Sequence, residues 1–252
     1  MKLALLKLGD RLYRHAYFLY RPLYGLYKQV SDGEERRFLR QFMRPGMTVI
    51  DVGANVGSYT RFLAGLTGPK GRVIAFEPEP LNFARLKANV ADLSNVTAVQ
   101  AAVADREGEI ALFVSDDLNV DHRTYDDGRG RRQAAIRAVS LDGFLPPGEP
   151  VHLIKLDVQG AEYGVLQGAR RVLEGNADIA LIMEFWPFGL RQSGVGAGML
   201  LDLLGSMGFS WRRTDGRTAP LRTDALEEWR EDNYCNLWVT RDRQPVGSNG
   251  TG

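Results

Sequence analysis

Apolar runs of strand length alternate with helical runs over most of the chain, and this alternation is the feature that most constrains the fold. The first pair is VIDVGANVGSYT, residues 49–60, and later pairs continue to the helical run GMLLDLLGSMG and the closing strands FSWRR and NLWVTR. Strands that alternate with helices of this length form a parallel sheet covered on both faces. We therefore expect a doubly wound α/β fold, in which residues 95–103 form one strand and residues 161–175 form one helix.

The composition divides the chain into three parts. Residues 1–43 form an amphipathic helical extension, residues 44–242 the α/β domain, and residues 243–252 a disordered tail. Residues 1–30 contain six basic residues and one acidic residue, a net charge of +5, and Pro22 is expected to separate two helices. The extension either packs on the domain as a cap or contacts an anionic membrane surface.

The bulk properties limit the classes of protein. A net charge of +1 gives no support to a nucleic-acid partner, and no apolar run approaches the roughly 20 residues of a membrane span. The single cysteine, Cys235, excludes an intrachain disulfide and is typical of a reducing compartment. We expect a cytoplasmic protein, with contact to the inner face of the membrane if the extension binds lipid.

The turn after the first strand contains Gly53, Asn55 and Gly57. In an open α/β sheet, ligands bind at the carboxyl ends of strands, and glycine lets a ligand approach the main chain. A dinucleotide site requires G-x-G-x-x-G, whereas here asparagine takes the place of the second glycine and Asp51 ends the strand. This pattern disfavours a pyrophosphate.

Glu77 follows the second strand in FEPEP, 24 residues after Gly53. An acid at this position accepts hydrogen bonds from the ribose of an adenosine-containing cofactor. The two features together indicate a nucleoside that carries a small charged group in place of the pyrophosphate. S-adenosylmethionine fits this description.

Five ordered segments resemble the FkbM-type S-adenosylmethionine-dependent methyltransferases: VIDVGANVGSYT, VIAFEPEPLNFARLKANV, VQAAVADREGEIALF, VSLDGFL and IKLDVQGAEYGVLQGA. The resemblance covers about residues 43–184. It implies a class I methyltransferase (Rossmann-like) sheet, mostly parallel with an antiparallel last strand, and methylation of a hydroxyl group, often on a sugar or polyketide. The residues that it assigns to the cofactor are Asp51, Gly53, Asn55 and Gly57 for the methionine part, Glu77 for the ribose, Ala102, Val103 and Asp105 for the adenine, and Asp157 beside the sulfonium.

A protonated hydroxyl is a poor nucleophile, so its methylation needs a base or a metal ion. The catalytic candidates are His122, Asp157 and Glu184, with Glu162 as a further acid. His122 lies between Asp121 and Arg123 and would be a base oriented by a carboxylate. Asp157 and Glu184 end adjacent strands, where they either orient cofactor and acceptor or hold a divalent cation.

Two features bear on the acceptor. Residues 116–137 contain five acidic residues and five arginines, including the run GRGRR. Arginine forks suit phosphates, so this stretch indicates a nucleotide- or lipid-linked acceptor, unless it is a solvated mobile loop. Gln159 stands where the family usually has glutamate, and we expect it to tune the pocket.

The function that these observations favour is O-methylation of a sugar, a glycan or a polyketide-like small molecule by S-adenosylmethionine. One alternative is an RNA methyltransferase, which the near-neutral charge disfavours. The other is a non-catalytic module that binds the cofactor, with Gln159 as its support. The sequence indicates neither the acceptor nor the oligomeric state.

Overall fold

A computed structural model of the protein describes residues 12–13, 16–115, 121–217, 221 and 226–241. The predicted tail therefore lies outside the described residues, as do Lys2, Lys7, Arg11 and Arg14 of the extension. In chain order the elements are α1 (Tyr17–Ser31), α2 (Gly33–Phe42), β1 (Thr48–Val52), α3 (Ser58–Thr67), β2 (Arg72–Phe76), α4 (Pro80–Val90), β3 (Val96–Val99), β4 (Ala102–Val103), β5 (Gly108–Val114), β6 (Arg132–Val139), α5 (Leu141–Phe144), β7 (Leu153–Leu156), α6 (Glu162–Gln167), α7 (Arg170–Gly175), β8 (Ala180–Phe185), α8 (Pro187–Gln192), α9 (Ala197–Ser206), β9 (Phe209–Arg213) and β10 (Cys235–Arg241).

The described strands form a seven-stranded sheet in the order β3-β2-β1-β7-β8-β10-β9 and a small sheet in the order β4-β6-β5. Neighbours from β3 to β8 are parallel, whereas β10 is antiparallel to β8 and β9. The predicted class I methyltransferase sheet, with its antiparallel last strand, is confirmed. Its order reverses between β1 and β7, so a crevice forms at the carboxyl ends of these strands.

Each central strand packs against helices on both faces because its side chains alternate. Val49 and Leu153 belong to a buried cluster with α2 and α3, whereas their neighbours Ile50 and Ile154 belong to a second cluster with α6, α7 and α9. Both faces of the sheet are thus covered, and the polar residues that follow the strands are left at the sheet edge.

Three predicted boundaries were wrong. Pro22 lies inside α1, and the chain breaks at Asp32 instead. The single strand predicted over residues 95–103 divides into β3 and β4, which belong to different sheets. The helix predicted over residues 161–175 is interrupted between α6 and α7. In each case the local pattern continues, but tertiary packing redirects the chain.

The helical extension packs on the domain through aromatic rings. Tyr20 contacts Tyr13, Tyr17 and Tyr24 at centroid distances of 5.3, 5.9 and 5.0 Å, and the guanidinium of Arg85 in α4 lies 3.5 Å from the Tyr13 ring centroid. Five apolar side chains of α1 remain exposed: Phe18, Leu19, Leu23, Leu26 and Tyr27. No helix among the described residues is long and apolar enough to cross a membrane.

Candidate active site

A cavity of about 870 Å³ opens at the carboxyl ends of β1, β2 and β7, beneath α1. This volume is typical of a small-molecule or cofactor site. The residues predicted from the sequence that line it are Gly53, Asn55, Glu77, Ala102, Val103, His122, Asp157, Gln159 and Glu184. The fold therefore brings the predicted cofactor and catalytic groups to one place.

The two glycines of the first turn are required by the protein itself. Gly53 has a φ of +80°, and a Cβ there would lie 1.9 Å from the carbonyl oxygen of Asp157. Gly57 has a φ of +83°, and a Cβ there would lie 2.7 Å from Cδ1 of Leu86. These internal contacts account for both glycines without a ligand. Gly53 also lines the cavity, so the prediction that glycine lets a ligand approach the main chain stays a prediction.

Glu77 fastens the first turn to the end of β2. Its Oε2 accepts a hydrogen bond from the backbone N–H of Asn55 at 2.8 Å, and its Oε1 accepts one from Glu79 at 3.0 Å. Burial raises the pKa of Glu77 to about 7, although these N–H donors oppose the shift. The side chain of Asn82 is a third hydrogen-bond partner. A carboxylate has roughly four acceptor sites, so the ionised Glu77 can accept a further bond from the cavity.

Three predicted cofactor residues lie outside the cavity wall. Asp51 is fully buried below the turn, where it accepts a hydrogen bond of 2.7 Å from Oγ1 of Thr60. Gly57 begins α3, and Asp105 is exposed to solvent. The structure gives Asp51 and Gly57 structural roles and supplies no contact that would support Asp105.

Asp157 and Glu184, which we call the carboxylate pair, end β7 and β8 side by side. Nε2 of Gln159 lies between them, 3.1 Å from Oδ1 of Asp157 and 2.9 Å from Oε2 of Glu184. An N–H donor at this place disfavours the divalent cation that the sequence left open. Among the described residues, no three His, Cys, Asp or Glu side chains are grouped to hold a metal ion.

The surroundings shift the pKa values of the two carboxylates in opposite directions. Burial, and then the charges of Asp157 and Glu162, hold the pKa of Glu184 well above its usual range. Burial opposes ionisation of Asp157 too, but the ammonium of Lys155, 3.4 Å from its Oδ2, lowers the pKa of Asp157. Two neighbouring acids with separated pKa values are suited to different roles, one as a proton acceptor and one as a fixed charge.

His122 does not have the geometry predicted for a base. Its Nδ1 accepts a hydrogen bond of 3.1 Å from the backbone N–H of Ser115, and burial lowers its pKa. The neutral ring therefore carries its proton on Nε2 and offers a donor. Asp121 does not orient the ring, because its carboxylate binds the guanidinium groups of Arg123 and Arg131 at 2.9 and 2.6 Å.

The loop around Arg123 is built on a buried ion pair. The Arg123 side chain is only 2% exposed and pairs with Asp127 at 2.9 Å, and its guanidinium lies 5.0 Å from the Trp186 ring centroid. Arg129 and Arg131 pair with Glu231 and Asp127 at 2.7 and 2.9 Å. The prediction of a solvated loop was wrong for Arg123 and Arg131, whose side chains are 2% and 7% exposed, whereas Arg129 is exposed. The pairing of these three arginines with acids does not favour the predicted contact with a phosphate. Residues 116–120 lie outside the described part.

The family model for the methyltransferase FkbM domain matches residues 51–210. The match covers more than half of the chain and includes the end of β1, the glycine turn, Glu77 and the carboxylate pair. The chain belongs to the FkbM methyltransferase family.

Two curated relatives and one solved structure place this FkbM methyltransferase among known proteins. It is 27% identical to the 2-O-methyltransferase NoeI of Sinorhizobium fredii, over 59% of this chain and 68% of NoeI. It is 34% identical to the 31-O-demethyl-FK506 methyltransferase FkbM of Streptomyces tacrolimicus, over 51% of this chain and 46% of that protein. An rRNA-methylase candidate from Clostridium thermocellum has a TM-score of 0.50 at 16% identity, covering 84% of this chain and 96% of that one. This last likeness concerns the fold alone.

S-adenosylmethionine is the cofactor of this FkbM methyltransferase, and the cavity fits it. The Glu77 carboxylate has lone pairs free for the ribose, and the buried Ala102, Val103 and Leu112 give an apolar place for the adenine. The ionised Asp157 lies where a positive sulfonium would be stabilised. A carboxylate cluster of this kind repels a pyrophosphate, in agreement with the sequence pattern.

Several residues of this site have no signal in the sequence that singles them out as functional. Lys155 is a buried lysine in the apolar strand LIKLD, and this contrast is the one signal that could have identified it. Tyr24 and Lys28 reach the cavity from α1, and Trp186 reaches it from the end of β8. Helical spacing predicts that the tyrosines share a face, but not which part of the domain that face covers.

Proposed function

We propose that the protein is an O-methyltransferase that acts on a hydroxyl group of a sugar, a glycan or a related small molecule. The observation that carries the proposal is the carboxylate pair in the cavity wall, one member with a raised pKa and the other held ionised by Lys155. The relatives NoeI and FkbM are both named as O-methyltransferases, which supports this choice of acceptor atom.

Glu184 is the group best suited to take the proton of the acceptor hydroxyl. A base works best when its pKa lies near the working pH, and burial raises that of Glu184 towards this range. The cofactor supplies a methyl group on a positively charged sulfur. Asp157 would stabilise this charge, and Glu184 would take the hydroxyl proton as the acceptor oxygen gains the methyl group and the carbon–sulfur bond breaks. Alignment of the acceptor by the cavity provides much of the acceleration.

The outer part of the cavity is suited to a sugar ring. It is lined by aromatic side chains, Tyr24, Tyr27 and Trp186, together with the charged Lys28 and Glu231. Aromatic rings stack on the C–H faces of sugars, while carboxylates accept hydrogen bonds from their hydroxyl groups. The arginines near this opening are paired with acids, which does not favour an RNA acceptor.

We further propose that the protein works in the cytoplasm against an anionic membrane surface, where a lipid-linked acceptor would be available. The exposed apolar face of α1 includes Leu23 and Tyr27, which also line the cavity. The net charge of +5 over residues 1–30 complements anionic lipid. Docking through this face would place the cavity opening at the membrane.

Glu184→Gln tests the proposed chemistry. We expect kcat with a hydroxylated glycan acceptor to fall by about 100-fold or more, because a general base contributes roughly 10²–10⁴-fold. The Kd for S-adenosylmethionine, measured by titration calorimetry, should change by less than about threefold. Asp157→Asn is the matched comparison and should weaken cofactor binding. Full activity of Glu184→Gln would exclude it as the base, and cofactor binding without transfer to any hydroxyl acceptor would indicate a non-catalytic module.

A further inference from the structure

We propose that Gln159 is a positioning residue whose carboxamide joins Asp157 and Glu184 into one hydrogen-bonded unit in the cavity wall. The role of this unit in catalysis rests on the proposed function. The coupling between Gln159 and Glu184 can be measured without any methyl transfer.

The chemistry of the three side chains explains what an amide does here that a carboxylate cannot. Ionised carboxylates only accept hydrogen bonds, and the amide nitrogen of Gln159 has two N–H donors. Its distances of 3.1 Å to Asp157 and 2.9 Å to Glu184 place one donor on each acid. Glutamate at this position would offer acceptors alone and would add a third negative charge.

The backbone holds Gln159 in place for this contact. Gln159 has a φ of +56°, a conformation that is costly for a residue with a side chain. The hydroxyl of Tyr125 donates a hydrogen bond of 2.8 Å to the carbonyl oxygen of Gln159. A Cβ at the next residue, Gly160, would lie 2.6 Å from the carbonyl carbon and oxygen of Gly189 and 2.8 Å from Oη of Tyr125. The strained turn is therefore fixed by packing from two sides.

A buried acid completes the turn. Oε1 of Glu162 accepts hydrogen bonds from the backbone N–H groups of Val158 and Gly160 at 3.3 and 3.2 Å. Its Oε2 is buried without a hydrogen-bond partner, and burial raises the pKa of Glu162 to about 7. The ionisable groups that act on Glu184 from the surrounding elements are Asp157, Glu162, Lys155, Lys28, Tyr234 and Cys235. Gln159 is not ionisable, and its amide is the donor placed directly between Asp157 and Glu184.

Two substitutions at Gln159 distinguish the loss of its N–H donor from the addition of a negative charge. Gln159→Glu keeps the shape but replaces the donor by a third carboxylate, which disfavours the ionised form of Glu184. Gln159→Met keeps the approximate size and removes the donor without adding charge. Gln167→Glu makes the same chemical change at an exposed position at the end of α6 and is the matched control.

The experiment is a carboxyl ¹³C NMR titration of protein labelled at glutamate, with the Glu184 signal assigned from its absence in Glu184→Gln. We expect Gln159→Glu to raise the Glu184 midpoint by about one pH unit or more, Gln159→Met to raise it by less, and Gln167→Glu to leave it unchanged. An unchanged midpoint in Gln159→Glu, or an equal shift in Gln167→Glu, would overturn the proposal.

The kinetic consequence distinguishes this proposal from the proposed function. The acidic limb of the kcat profile should move with the NMR midpoint in Gln159→Glu, and the effect of Gln159→Met on kcat should vanish in a Glu184→Gln background, as expected for two coupled groups. A shifted midpoint in a protein that methylates no hydroxyl acceptor would refute the proposed function and leave the Gln159 unit intact. If the Glu184 midpoint shifts but the acidic limb of the kcat profile does not, the hydrogen-bonded unit has a structural role alone. This outcome would refute the proposed role of Gln159 in catalysis.

Discussion

The floor and the roof of the cavity are built in different ways. The floor consists of residues at the ends of β1, β2, β7 and β8, and it lies within residues 51–210, which match the family. The roof is α1, which precedes the match. It rests on the domain through Tyr17, whose ring lies under the guanidinium of Arg85 and whose hydroxyl accepts a hydrogen bond from Asn89. The floor contains the acids that the chemistry needs, whereas the roof contains aromatic and apolar side chains. We therefore propose that the floor serves the cofactor chemistry and that the roof contributes to the choice of acceptor.

The two regions also differ in how tightly their geometry is fixed. In the floor, Gly53 contacts the carbonyl of Asp157 so closely that no side chain fits, and Glu77 bonds two backbone N–H groups. In the roof, Leu23 and Leu26 face solvent. We therefore expect changes in the floor to affect folding and cofactor binding, and changes in the roof to affect the acceptor and surface binding.

Gly53→Ala should have the largest effect, since the floor depends on main-chain contact. A Cβ 1.9 Å from the Asp157 carbonyl oxygen must displace β7 or the turn. Adding about 1–2 kcal/mol for a left-handed residue to about 1–3 kcal/mol for overpacking, we expect the free energy of unfolding to fall by about 2–5 kcal/mol. Chemical denaturation measures this loss.

Gly65→Ala in α3 is the matched control, because nothing lies within 4 Å of a Cβ there. An alanine in a helix interior should leave stability unchanged or raise it by about 0.5–1 kcal/mol. If Gly53→Ala were as stable as this control and lost only cofactor affinity, the glycine would serve the ligand, and the internal contact would not explain it.

Glu77→Gln should weaken binding of S-adenosylmethionine by about 10- to 100-fold. Hydrogen bonds to a charged group contribute about 1.5–3 kcal/mol, and each 1.4 kcal/mol is about tenfold in Kd. Titration calorimetry at pH 8, where the native carboxylate is ionised, measures this change. An affinity equal to that of the native protein would remove Glu77 from the ribose site.

The affinity of the native protein should depend on pH. The pKa of Glu77 is raised to about 7 in the folded protein, so the carboxylate is protonated below this pH and ionised above it. Since the ionised form accepts the ribose hydroxyls, affinity should rise between about pH 6 and pH 8 and then level off. Glu162 titrates in the same range, so Glu77→Gln is the control: the rise should be absent from that variant.

Leu26→Glu on the roof should have the smallest effect on the chemistry. The Leu26 side chain is 62% exposed on the outer face of α1, so cofactor affinity should change by less than about twofold. Binding to phosphatidylglycerol vesicles, measured by flotation, should fall by about fivefold or more, because a charge replaces buried apolar contact.

Met199→Glu provides the control for the vesicle experiment. Met199 is 51% exposed on α9 and should leave vesicle binding unchanged. Equal loss in both variants would show a general effect of charge, and native protein that ignores anionic vesicles would refute docking through α1. Concentration-dependent dimerisation that Leu26→Glu abolishes would instead assign this face to a second copy of the chain.

The central strands and most helices could be predicted because each keeps one hydrophobic period along its length, as β1 and α9 do. The wrong boundaries fall where packing overrides that period, at Pro22 inside α1 and at the division of β3 from β4. In the site, the residues that follow strands were placed correctly at the sheet edge, Glu77, Asp157 and Glu184 among them. The interpretation of His122 was wrong because its hydrogen bond to Ser115 depends on how the loop folds back.

The sequence by itself determined the α/β sheet, the family and the group of acids at the strand ends, since hydrophobic period and strand order place these without knowledge of side-chain contacts. Tertiary structure alone decided what each of those groups does. Whether an acid holds a proton depends on burial and on the charges within a few ångströms, and contacts such as Lys155 with Asp157, or Gln159 with Glu184, join residues from different strands and turns. Such contacts have no periodic signal along the chain.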